Sequence, residues 1–159
     1  MCKKVLLMLV GAILASMVFA HPRITTVLDS VAADTTETVY LSTQLRWLAQ
    51  LTFNIDHVDS SQYIENSAFI FEFDAATPCT LSGADLFTYF AMDSANLIAD
   101  GGIWDMYVYN TTIGTMKGRL TYPVLVQDSL KIKYTNADTL NAAAVKLGLI
   151  WHPDPRGED

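Results

Sequence analysis

The chain has 159 residues, 51% of them hydrophobic and 11% aromatic, with 10 basic residues against 17 acidic ones and a formal charge of −7. That apolar content excludes a disordered chain, and the acid excess argues against nucleic acid as a partner, because gripping a phosphate backbone needs clustered Lys and Arg. The length suits one domain around one core.

The first predicted element is a leader. Lys3 and Lys4 precede an apolar run from Val5 to Ala15, and Val18-x-Ala20 supplies a small-residue cleavage site, the layout of a secretory signal peptide over residues 1–20. Val5 to Ala20 would make about 24 Å of helix, short of the ~30 Å hydrocarbon core, so cleavage is expected and no stable membrane span after it. Cys2 lies before the apolar run, where a lipoprotein would have its cysteine after it. The expected product is secreted or cell-surface and begins at His21. Loss of Lys3 and Lys4 leaves 8 basic residues against 17 acidic and a formal charge of −9. Cys79 alone remains, so no intramolecular disulfide forms and the core must hold without staples. Following Pro78, Cys79 reads as a small buried hydrophobe.

Residues 21–38, "HPRITTVLDSVAADTTET", are rich in Thr and Asp and read as an N-terminal arm or an irregular first strand. An arm of this length is able to pair with a neighbouring subunit's sheet edge. Residues 39–153 read as one β-sandwich domain and 154–159 as a polar tail. Within the domain the dominant pattern has period two. In "LRWLAQLTFNID", Leu45, Trp47, Ala49, Leu51, Phe53 and Ile55 fall on one face, with Leu48 an apolar intruder among Arg46, Gln50, Thr52, Asn54 and Asp56. "SAFIFEFD" sets Phe69, Phe71 and Phe73 against Glu72 and Asp74. "LSGADLFTYFAM" carries a capping-box pattern, Ser82 and Asp85, before Leu86, Phe87 and Phe90 at helical spacing; residues 83–92 fit a short helix as well as a strand.

Four further alternations follow. "IWDMYVYN" opposes Trp104, Met106 and Val108 to Asp105, Tyr107 and Tyr109, and "MKGRLTY" opposes Met116, Leu120 and Tyr122 to Lys117, Arg119 and Thr121. "LKIKY" opposes Leu130, Ile132 and Tyr134 to Lys131 and Lys133, and "VKLGLIW" lines up Val145, Leu147, Leu149 and Trp151 with Lys146 outside. At least six strands, each with one wet and one apolar face, imply two packed antiparallel sheets: an all-β sandwich, jelly-roll-like or immunoglobulin-like.

The candidate sites are few. An amino-terminal His21 offers its amine and imidazole to Cu(II), and a second imidazole from His57 or His152 would complete the set. The start "HPRI" resembles the mature start of periplasmic copper-carrier proteins, and lytic polysaccharide monooxygenases are also sandwiches that begin with His. That resemblance implies a copper site, but the carriers' Asp-x-His pair has no counterpart here, since Asp56 and His57 are adjacent. Copper is therefore the alternative, and the leading expectation is no cofactor. Loop acids such as Asp56, Asp59, Asp93, Asp100 and Asp105 form no Asp-x-Asp-x-Asp calcium loop. No Ser-His-Asp spacing, Cys-His pair or metalloprotease helix is recognisable, so no enzyme is expected.

Two surface features remain. Tyr107 and Tyr109, two apart on one face, would suit a sugar ring or a protein partner, which leaves a small carbohydrate-binding module as a further alternative. Residues 21–105 carry a net charge of −10 and residues 106–159 a net of +1. Lys117, Arg119, Lys131, Lys133 and Lys146 fall on outward positions of the last three strands and, if neighbours, would form a basic patch able to dock on an acidic surface of another copy. The expected function is thus a self-associating structural or adhesive subunit of a surface assembly, a homo-oligomer, filament or layer, with surface glycan as a further partner. A virion jelly-roll subunit is an alternative that an export leader disfavours. Asn110-Thr111-Thr112 is a glycosylation sequon, relevant only in a eukaryotic host.

Overall fold

Alternating hydrophobicity dictates ribbons with one greasy face, and such ribbons bury that face by rolling against one another. The structure, a computed structural model, describes residues 22–57, 61–85, 104–110, 112, 114–120 and 122–152. In chain order the elements are β1 (Arg23–Val31), β2 (Thr35–Ser42), β3 (Arg46–His57), α1 (Ser61–Asn66), β4 (Ala68–Phe73) and β5 (Cys79–Ser82). They continue as β6 (Trp104–Asn110), β7 (Thr115–Leu120), β8 (Val124–Val126), β9 (Leu130–Asn136) and β10 (Ala143–His152). The leader and residues 153–159 lie outside the described residues.

Two antiparallel sheets result. One has the order β1-β10-β3-β7-β6, with β8 also pairing β3; the other has the order β2-β9-β4-β5. The chain is one long antiparallel ribbon folded back on itself: β1 pairs β10, β2 pairs β9, β3 pairs β7 and β8, and β4 pairs β5. Rolling closes it through the β10–β3 and β9–β4 ladders. Of the two expected sandwich types, this connectivity is the jelly-roll one. Residues 21–38, expected as an arm or irregular first strand, instead contain all of β1 and the first half of β2, regular members of opposite sheets.

The core follows the predicted phase along most strands. Phe69, Ile132, Tyr134, Val145, Leu149 and Trp151 are all buried, and Phe53, Phe69, Phe71 and Tyr134 stack or tilt against one another with ring centroids 5.1–5.6 Å apart. β3 departs from strict alternation. The β3–β10 register slips between Ile150 and Trp151, so that Gln50 faces Ile150 while Leu48 faces Trp151. Ala49 is the extra residue of a β-bulge, which reverses the phase upstream of it. Leu48, the apparent intruder, is therefore completely buried, and Trp47 is only half-buried. Tyr122, expected inside with Met116 and Leu120, is 60% exposed beyond the end of β7, and Cys79 is exposed on β5.

Among the described residues helical structure is short. α1 was not expected. Gly83 to Asp85 open a helical turn after β5, and the capping box is formed: Asp85 N–H donates to Ser82 Oγ at 3.0 Å while Ser82 N–H and Oγ–H donate to Asp85 Oδ2 at 3.0 and 2.7 Å. The rest of the expected 83–92 helix lies outside the described residues. Gly83 is required by packing, since a Cβ there would sit 1.9 Å from the carbonyl oxygen of Ile64 in α1.

Candidate functional site

The two alternative second imidazoles of the expected copper site, His57 and His152, lie far apart. His21 lies outside the described residues. His57 ends β3 opposite Ala143, the first residue of β10, and His152 is the last residue of β10. About 30 Å of strand therefore separates the two imidazoles, and no single ion reaches both. His57 is not in a solvated turn either. It is 3% exposed, with Nε2 2.9 Å from the Tyr134 hydroxyl and 3.5 Å from Ser67 Oγ. Burial pushes the imidazole below its ordinary pKa, against the raising fields of Asp138 and Asp56, and burial likewise drives the Tyr134 phenol upward.

This polar cluster plugs one end of the sandwich. Asn136, buried beside it, donates through Nδ2 to the carbonyls of Val31, Ala32 and Asn141 at 2.9–3.1 Å, tying the end of β1 to the β9–β10 loop. Burial raises the Asp138 carboxyl, but the backbone N–H groups of Leu140 and Asn141 outweigh it and hold the group below the ordinary carboxylate range. The residue types Ser67, His57 and Asp138 are those of a nucleophilic triad, a grouping the sequence spacing does not reveal. Ser67 is completely buried and its Oγ accepts the Ala137 N–H at 3.0 Å, Asp138 Oδ1 is taken by two backbone amides, and His57 Nδ1 has no hydrogen-bond partner among the described residues.

The five outward bases do not form one patch. Lys117 and Arg119 on β7 and Lys146 on β10 belong to one sheet, while Lys131 and Lys133 on β9 belong to the other. Folding a ribbon into two layers sends successive strands to opposite outer faces, so nearness in sequence did not become nearness in space. Four of the five also face acids. Glu72 on β4 lies opposite Lys131 and accepts from Lys131 at 3.0 Å and Lys133 at 2.6 Å, which holds its carboxyl below the usual range. Arg119 bonds Asp105 at 2.9 Å, and Lys146 stands 3.8 Å from Asp56.

The expected aromatic pair lies on a bulged strand. The β6–β7 register slips between Met106 and Val108, leaving Tyr107 as a bulge residue, 42% exposed, with the Arg119 guanidinium 5.4 Å from its ring centre. Past the bulge Val108 stands opposite Lys117 and Tyr109 opposite Met116 in the ladder.

The sequence missed the sheet edges. Among the described strands five pair on one side only, and four of them are bulged or short, features that hinder edge-to-edge pairing. β2 slips register between Thr38 and Tyr40, β6 is bulged at Tyr107, β5 has four residues and β8 three. β1 is neither bulged nor short. Its nine residues run without a register shift along β10 and contain no lysine and no proline, its only charges being Arg23 and Asp29. On its outer face Ile24 and Leu28 are 74% and 72% exposed. A nine-residue edge with an unshifted register and two large aliphatics in water is an adhesive surface.

No family model matches the chain, and no curated protein matches it. Among solved structures it has a distant likeness to a serine protease of Aeromonas sobria, at 9% identity and a TM-score of 0.35 over 88% of this chain and 29% of that one. The same protease in complex with its chaperone gives 10% identity and a TM-score of 0.34 over 87% and 29%. This chain thus spans less than a third of those chains, and a likeness of that degree says nothing about its chemistry.

Proposed function

We propose that this is a non-catalytic exported protein, a self-associating structural or adhesive subunit of an extracellular or surface assembly. The observation that supports it is the β1 edge, unbulged and bearing Ile24 and Leu28 in water. A monomer that spends its life alone is expected to blunt such an edge with Lys, Pro or a bulge, as β2 and β6 are bulged. The leader "MCKKVLLMLVGAILASMVFA" supports export. Enclosure of Ser67 and His57 favours a structural reading over hydrolysis. Sedimentation velocity of the exported protein across a concentration series tests the proposal. Oligomers that dissociate on dilution are expected, and a monomer at every concentration up to the millimolar range refutes it.

A further inference from the structure

We infer that β1 of one copy pairs antiparallel with β1 of a second copy, about a twofold axis through Thr26, joining two of the larger sheets into one continuous sheet. The inference rests on the self-association reading above and adds the partner surface, its symmetry and its register.

The register follows from the side chains. Residues directly opposite in a continuous sheet must project from the same face, so only even-numbered offsets are allowed: outward Ile24, Thr26, Leu28 and Ser30 can meet only one another. Centring the axis on Thr26 sets Ile24 opposite Leu28 of the second copy, Thr25 opposite Val27 and Arg23 opposite Asp29. The twofold repeats each pair. Two aliphatic pairs then cover the side chains now left in water, and two Arg–Asp pairs form on the other face. Among the described residues neither Arg23 nor Asp29 has an ion pair within its own chain; Asp29 Oδ1 accepts only its neighbour's N–H, from Ser30 at 2.8 Å. Moving the axis to Val27 sets Ile24 against Ser30, Leu28 against Thr26 and Arg23 against Val31. Moving it to Thr25 sets Leu28 against Pro22, which has no N–H to give, and Arg23 against Val27. Neither matches charge with charge or aliphatic with aliphatic, and an axis on Leu28 pairs Leu28 with itself but sets Val27 against Asp29, so only the Thr26 register matches both. Such a contact is isologous and closes into a dimer.

Charge exchange tests it. Sedimentation equilibrium is run on the exported protein, on Arg23→Asp, on Asp29→Arg and on the double variant, with circular dichroism confirming that each folds. Each single change replaces two opposite-charge pairs by two like-charge ones and should raise the dimer Kd about tenfold or more; the double variant should return to within about threefold of the parent. In a Cys79→Ser background, Thr26→Cys should cross-link into a covalent dimer on mild oxidation and Ser30→Cys should not. If the parent associates but neither the charge changes nor the position of the cysteine matters, this pairing is wrong while self-association stands. If the parent is monomeric throughout, both readings fall.

Discussion

The bulge at Ala49 makes Leu48, not Trp47, the core residue at the start of β3, and truncating each in turn tests that phase. Leu48 is wholly enclosed and faces Trp151 across the ladder, with Val124 of β8 on its other side. Leu48→Ala removes three buried carbons and leaves a cavity walled by strands from both neighbours, which have little room to collapse. A loss of about 3 kcal/mol is expected, within the range for fully buried leucines. For a domain of this size that lowers the midpoint of thermal unfolding by roughly 6–12 °C. Trp47 keeps part of its ring in water and its truncation encloses no cavity, so Trp47→Ala should cost about 2 kcal/mol, less than Leu48→Ala despite removing three times as many atoms. Urea titration followed by far-ultraviolet circular dichroism reads both, with the slope against denaturant checked for constancy. Strict alternation from Leu45 demands the opposite order. A larger loss for Trp47→Ala than for Leu48→Ala would remove the bulge and restore the simple strand.

Two further outcomes follow from the polar end of the sandwich. Because burial depresses the His57 pKa below its ordinary 6.5, the unfolded chain binds the extra proton first; this contribution is full above pH 6.5 and is lost as pH falls below it. Unfolding free energy measured from pH 7.5 down to about pH 5 should decline, and His57→Gln should flatten that decline; an unchanged slope would mean that the imidazole is already charged in the fold. Asp138, held below its ordinary value, acts only in the more acidic carboxylate range, so the two windows separate. Gly114 adopts φ +67°, and a Cβ there would lie 2.6 Å from the His57 carbonyl oxygen, which accepts no compromise from a rigid backbone. Gly114→Ala should therefore cost about 2 kcal/mol in the same urea assay, and a neutral result would contradict the close β3–β7 approach.

The alternation of Phe69, Phe71 and Phe73, of Leu130, Ile132 and Tyr134, and of Val145 through Trp151 was enough to establish two-layered β architecture, because a strand's own pleat decides which side chains share a face. The Ser82–Asp85 cap was legible for the same reason: its partners are three residues apart. Export is an expectation of the same local kind, read from the leader. What lay beyond the sequence is what depends on a partner strand. A bulge is a property of two strands in register, so neither the inversion at Leu48 nor the slip at Tyr107 is written in either segment alone. Strand order is a property of the whole ribbon; it distributed the five bases over two outer faces, carried His57 and His152 to opposite ends of β10, and brought Ser67 to His57. It also left β1 at an edge. Nothing in "RITTVLDSV" says whether its second row of N–H and C=O groups meets another strand or water, and that question, decided only when β10 takes the other side, is what turns Ile24 and Leu28 from residues of an arm into a surface.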